Sequence, residues 1–262
     1  QLRDRTGAGI VDCKKALQDC GQDLEAAVEA LRKKGIAKAA KREGREATEG
    51  VISLDVSADK KTGYILEVNS ETDFVARNDS FQEFVQKTME LIKTREPEDL
   101  EALQALPFDD RSAVGEYLEN LSGVIGEKLE LNRFDRLTTA GTVAAYSHMG
   151  GKIGVLVSLD QAGQEELAYD IAMHIAAANP KYLAPDEVPA EELDKERAIY
   201  RDQLAQEGKP ENIMDKIIEG KLQKYYSEVC LLEQEYIKDD KKKVKEVLGE
   251  ARVEKFIRYS LA

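Results

Sequence analysis

Soft ligands are scarce in this chain, with three cysteines (Cys13, Cys20, Cys230) and two histidines (His148, His174) among 262 residues. A disulfide framework needs more thiols at regular spacing, and a structural zinc site needs about four nitrogen or sulfur ligands close together. The count argues against both, and no metal or cofactor is expected. Cys13 and Cys20, within one helical region, read as reduced thiols of a cytoplasmic protein. No apolar run approaches the roughly 18–20 residues that a membrane helix needs. Gln1-Leu2-Arg3-Asp4-Arg5 does not resemble a signal peptide. The absence of an initiator Met leaves a missing native N-terminus, or a removed transit segment, open.

Catalytic patterns are absent too. No G-x-x-x-x-G-K-[ST] phosphate loop occurs, since Gly123-Val124-Ile125-Gly126-Glu127-Lys128 is too compact to be one. No G-x-G-x-x-G follows a strand, no G-x-S-x-G elbow is present, and neither Cys13 nor Cys230 has a local base. The many carboxylates fall on acidic helix faces rather than in catalytic pairs. A non-enzymatic protein is expected; a hydrolase or transferase with a dispersed site is the weaker alternative.

What the chain has in quantity is charge. Charged residues make up 34% and hydrophobic ones 42%, with a net charge of −13, the composition of a well-solvated globular protein. The first 49 residues carry 11 basic and 9 acidic side chains, so the remainder holds −15. An acidic body repels phosphate backbones and has no counterion-release term to gain, so direct nucleic-acid binding is not expected and a protein partner is. Seven basic residues between positions 32 and 45 form either a solvated segment or a face that docks on an acidic surface.

The length allows about two compact domains, and the pattern divides the chain further. Residues 1–42 predict three short helices: one after the turn Thr6-Gly7-Ala8-Gly9, one with its apolar stripe at Leu24, Ala27, Val28 and Leu31 behind an Asp23 N-cap, and a third over 36–40 after a Gly35 C-cap. Residues 43–49 read as a linker. Beyond Gly50, Val51-Ile52-Ser53-Leu54-Asp55-Val56 and Tyr64-Ile65-Leu66-Glu67-Val68 predict a strand pair, and Phe81, Phe84, Val85, Thr88, Leu91 and Ile92 line one face of a helix near 80–94.

The plan then recurs. Strands over 141–146 and 153–159 flank the turn Met149-Gly150-Gly151-Lys152, and Leu167, Ala168, Ile171, His174, Ile175 and Ala178 line a helix over 165–179. This predicts an α+β core with an internal pseudo-repeat, subdomains 50–138 and 139–262. Residues 97–132 between the strand units read as helical. Two charged helices around Gly208-Lys209-Pro210 predict an antiparallel helical hairpin over 190–227 that protrudes from the body. A highly charged stretch at 238–245 leads to a last strand over 253–259.

Three places are unusual for a purely structural chain. Glu71-Thr72-Asp73-Phe74-Val75 follows a strand directly; Phe74 is either a core anchor behind an Asp73 N-cap or an exposed wedge for a partner. Tyr146-Ser147-His148-Met149-Gly150-Gly151 puts His148 at a hairpin tip, where an ordinary exposed His is the simpler account. His174 lies on an apolar stripe, the setting of a satisfied core histidine.

These stretches resemble the elongation factor Ts family. Leu2-Arg3-Asp4-Arg5-Thr6-Gly7-Ala8-Gly9-Ile10-Val11-Asp12-Cys13-Lys14-Lys15-Ala16-Leu17 is similar to its opening signature, Glu67-Val68-Asn69-Ser70-Glu71-Thr72-Asp73-Phe74-Val75-Ala76-Arg77 to its second, and Ile171-Ala172-Met173-His174-Ile175-Ala176-Ala177 with Pro180 to its third. The resemblance implies a ubiquitin-associated-like helical domain, a two-subdomain core and an inserted coiled-coil hairpin. It implies a guanine nucleotide exchange factor for the GTPase elongation factor Tu, with a homodimer in a two-to-two complex as one assembly. Thr72, Asp73, Phe74 and Val75 would then dislodge the partner's magnesium. Arg3, Ile10, Val11 and Lys14 would dock the N-terminal module, Ile125, Gly126 and His148 would support the core contact, and Tyr236 and Ile237 would reach another partner domain. A scaffold that binds proteins without affecting nucleotide is the alternative from another class.

Overall fold

The computed structural model describes all residues except Gly7, Lys41, Glu43 and Ala262, and for Asp4 and residues 36–40 it describes the backbone alone. Part of the Thr6–Gly9 turn and of the 32–45 basic run therefore lies outside the described residues.

The chain opens with helices α1 (Leu2–Thr6), α2 (Ile10–Asp19) and α3 (Leu24–Ala40). Asp23 Oδ1 accepts the N–H groups of Glu25 and Ala26, satisfying two donors that a helix start leaves orphaned. Leu2, Cys13, Ala16, Ala27 and Leu31 form a small separate core. The expected C-cap at Gly35 is not there: α3 runs through Gly35 to Ala40 as one helix, so the third helix is its continuation. Gly123 of α7 (Val114–Ile125) lets the two helices lie close at this point, since a Cβ there would strike the Gly35 backbone.

Next come β1 (Glu49–Val56) and β2 (Thr62–Ser70), then α4 (Asp73–Ala76), α5 (Asp79–Arg95), α6 (Leu100–Ala105), α7 and β3 (Leu129–Thr138). The sheet order is β1-β2-β3, all antiparallel. The 97–132 region is thus not wholly helical: a loop parts α6 from α7, and a strand begins at Leu129. The second unit repeats the plan with β4 (Thr142–His148), β5 (Ile153–Leu159), α8 (Glu165–Ala178) and, after an insertion, β8 (Val253–Ser260), ordered β4-β5-β8. The insertion holds α9 (Ala190–Gln206), α10 (Glu211–Val229), the short ribbon β6 (Glu235–Tyr236) and β7 (Asp239–Lys243), and α11 (Val244–Leu248).

Alternation along the strands builds four layers. Tyr64, Leu66 and Val68 face α5 and α7, while Ile65 points the other way, to meet Leu156, Ile257 and Tyr259 of the second sheet. Val155, Val157 and Leu159 face α8, completing the α/β/β/α stack. Each unit carries a glycine as the second residue of its middle strand. A Cβ at Gly63 would strike Val143 and Leu156, and one at Gly154 would strike Ile52. The reciprocity is that of an internal repeat, each sheet leaving a gap for the other's side chains. The fold is α+β.

Candidate functional site

At one end of the stack the first sheet pairs Glu49 with Ser70 and Ser70 with Leu129, and the second pairs His148 with Ile153 and Ile153 with Ser260. The ends coincide, because the Ile52 N–H donates to the Gly151 carbonyl at 2.7 Å and Lys152 pairs with Glu49 at 2.9 Å. The 71–76 segment, the end of α7 and the His148 hairpin therefore emerge together.

Phe74 is 81% exposed, which excludes the core-anchor account. The cause is local. In the single turn α4, Val75 and Ala76 are buried against β2 and α5, and this leaves Phe74 on the outer side. Asp73 is not the N-cap; Thr72 holds that place, and Asp73 pairs with Arg77 at 2.9 Å. Two carboxylates fix the approach to this turn. Glu127 accepts the Thr72 N–H at 3.0 Å and the Thr72 hydroxyl at 2.8 Å. In return, Glu71 accepts the Lys128 N–H at 2.6 Å and Arg45 Nη1 at 3.1 Å. The Lys128 N–H above all, helped by Arg45, holds the Glu71 carboxyl below the usual carboxylate range.

Ile125 ends α7, and Gly126 turns the chain with φ of 95°, a left-handed conformation that glycine adopts without strain. His148 is exposed at the end of β4. Its Nδ1 lies 3.1 Å from the Tyr146 hydroxyl, and Met149 beside it is also exposed. The structure thus brings Thr72, Asp73, Phe74, Ile125, Gly126 and His148 to one end. Val75 belongs to the same turn, but it is buried.

The remaining candidates stand on other elements. Ile10 and Val11 are 68% and 80% exposed on α2, and Arg3 of α1 and Lys14 of α2 are exposed as well. Tyr236 is only 6% exposed, so its ring cannot reach a partner. Its hydroxyl bonds Asp170 at 3.2 Å, and burial, with Asp170 adding, pushes it up to about 12. Ile237 next to it is exposed. Its N–H donates to His174 Nδ1 at 3.3 Å, while His174 Nε2 meets Gln234 Oε1 at 3.0 Å. His174 is fully buried with both ring nitrogens bonded, a satisfied core histidine.

Sequence reasoning missed the Glu71–Glu127 exchange. Glu127 drew notice only as part of a stretch too compact for a phosphate loop, and nothing local signals a bond to a residue 55 positions earlier. Among the described residues, no group of three His, Cys, Asp or Glu side chains stands where it could hold a metal ion, and no helix is long and apolar enough to cross a membrane.

Known proteins are similar to this chain. A sequence profile of the family described as Elongation factor TS matches residues 71–262. The protein named Elongation factor Ts from Halothermothrix orenii is 48% identical over 245 residues, covering 92% of this chain and 82% of its own. The protein of that name from Nitratiruptor sp. is 48% identical over an alignment of 277 residues, covering 100% and 90%. A family match over 71–262 and identity of 48% over nearly the whole chain leave one assignment: the chain belongs to the elongation factor Ts family.

Proposed function

We propose that this chain is a guanine nucleotide exchange factor for elongation factor Tu: it binds the GDP-loaded GTPase, dislodges its magnesium and speeds GDP release so that GTP can enter. The observation that carries this reading is a large aromatic side chain held in solvent on a braced turn. Exposed aromatics on firm supports are the usual anchors of interfaces. Phe74, with Asp73 and Thr72, enters the partner beside its metal site; Val75 fixes the turn from below. Ile125, Gly126 and His148 complete the contact at the same end of the sandwich.

The helical module, residues 1–42, docks through Arg3, Ile10, Val11 and Lys14. Subdomains 50–138 and 139–262 carry the core contacts, and Ile237, with Tyr236 as its buried support, meets a further partner domain. The net charge of −13 favours a protein partner over a phosphate backbone, and the cytoplasm, where translation runs, is the compartment.

The mechanism is linkage. A factor that prefers the vacant GTPase over the GDP form must be weakened by GDP in equal measure. Removing the cation strips the diphosphate of its main local counter-charge. No bond is made or broken, so no catalytic set is required.

Stopped-flow release of a fluorescent GDP from elongation factor Tu tests the reading. The unaltered chain accelerates release, and the Asp73→Ala, Phe74→Ala double variant, though folded, accelerates it far less. Binding without any change in the GDP off-rate would make the chain a scaffold instead.

A further inference from the structure

Thr72 and Lys128 are 2.8–3.0 Å and 2.6 Å from carboxylates on each other's segments: Glu127 takes both polar hydrogens of Thr72, and Glu71 takes the Lys128 N–H. The two loops leave neighbouring strand ends, since Ser70 pairs with Leu129. Each loop is also pinned to its own element: Ser122 Oγ donates to the Glu127 carbonyl at 2.6 Å, and Ser70 Oγ donates to the Thr72 carbonyl at 2.9 Å. The bonds to Thr72 fall on the residue that sets the entry angle of α4, whose next two positions are Asp73 and Phe74.

We infer that Glu127 is the positioning residue of the exchange tip, with Glu71 as its reciprocal brace. Glu127 fixes the direction from which Phe74 is presented. This rests on the proposed exchange function. Charge-assisted bonds to a backbone N–H are among the stronger ones available to a loop. A bare aromatic on a loose loop would lose ordering entropy on every docking, and a preformed one does not. The bond chemistry also makes a distinctive demand. A glutamine at 127 can still offer its carbonyl oxygen to the Thr72 N–H and its amide N–H₂ to the Thr72 oxygen, so Glu127→Gln keeps the clamp while Glu127→Ala abolishes it.

Two measurements on the full chain test the inference. In hydrogen exchange of the isolated protein, Glu127→Ala should speed exchange of the Thr72 amide on the order of tenfold or more, with α5 amides unchanged and Glu127→Gln close to the unaltered chain. In GDP release from elongation factor Tu, Glu127→Ala should lower the rate at saturating factor by roughly ten- to a hundredfold, with a smaller change in the concentration giving half-maximal effect and with rescue by Glu127→Gln. Unchanged protection and release in Glu127→Ala would overturn the inference, as would equal defects in the Ala and Gln variants. Phe74→Ala serves as the separate control. Should it release GDP at the unaltered rate, the exchange site itself is misplaced and the clamp's functional role falls with it, while the amide measurement still decides whether Glu127 holds the loop.

Discussion

Gly35 of α3 and Gly123 of α7 meet backbone to backbone: a Cβ built on Gly123 would stand 2.5 Å from the Gly35 Cα. The contact is asymmetric. A Cβ on Gly35 would meet nothing closer than Asn120 Oδ1 at 3.4 Å, an ordinary contact. Gly123→Ala should therefore push the helical module off α7 at a cost of about 1–3 kcal/mol, whereas Gly35→Ala should be neutral or stabilise by up to about 1 kcal/mol through helix propensity. Hydrogen exchange of α3, followed in both variants, checks the difference. Equal protection of α3 in the two would contradict this packing.

Phe74 and Phe81 are seven residues apart and opposite in fate, 81% and 0% exposed. Phe74→Ala should change unfolding stability by no more than about 0.5 kcal/mol, as surface truncations do. Phe81→Ala removes a ring from the core beneath α5 and should cost about 3–5 kcal/mol. Urea titrations of the two variants read the contrast without any GTPase present. A large loss from Phe74→Ala would mean that its ring is packed within the isolated fold.

What the sequence disclosed follows from periodicity. The helix stripe at Phe81, Phe84, Val85, Thr88, Leu91 and Ile92 follows a 3.6-residue pattern, and all of these side chains are buried but Leu91, which is half-buried at the edge of the stripe. Strand β3 was hidden because its alternation breaks. Leu129 and Leu131 face the helices, a register shift follows opposite Glu67 and Val68, and thereafter Phe134 faces the helices while Leu137 turns to the second sheet. Read linearly, spacings of two, three and three imitate a helix. The break expected at Gly35 failed for another reason: a glycine inside a helix costs only about 1 kcal/mol, too little to end a helix that packs along α7. The exposed turn at Phe74 was legible as a choice between two environments, but the Glu127 bond that orients it was not, because it joins residues 55 positions apart.

His174 should make the protein sensitive to mild acid. Its Nδ1 accepts the Ile237 N–H, so the proton sits on Nε2 and is donated to Gln234 Oε1. The Tyr236 ring, 6.0 Å away, and Asp170, bonded to the Tyr236 hydroxyl, complete its polar surroundings. Burial lowers the imidazole below its ordinary 6.5, and the bond to Gln234 only partly opposes this. In the unfolded chain the ring takes up a proton near 6.5 while the folded one stays neutral, so its contribution is complete above pH 6.5 and is lost as the pH falls towards the folded value. The expected slope is at most about 1.4 kcal/mol per pH unit. Urea midpoints between pH 7.5 and 5.0 should drift down in the unaltered chain and less in His174→Gln. Parallel drifts in the two would remove His174 as the cause.

The helical hairpin should be dispensable for the fold. Leu204, Ile218 and Leu222 close a cluster with Leu193, Tyr200, Met214, Ile217 and Tyr226, all from α9 and α10. Their burial is thus supplied by the pair itself and not by either sheet. Among the described residues, attachment is seen at the base, where Glu192 accepts the Tyr182 hydroxyl at 2.6 Å and the Tyr225 hydroxyl, and where Val188, Tyr225, Val229 and Cys230 pack together. Those two hydroxyls hold the Glu192 carboxyl below its usual range. Replacing residues 196–222 by a short Gly-Ser connector keeps every one of these base contacts. The shortened chain should melt in one cooperative transition close to that of the intact protein, because connector length costs only about 0.6 kcal/mol per doubling. A broad or missing transition would show that the hairpin shares the body's cooperativity, and its separate cluster would then be no guide to its independence.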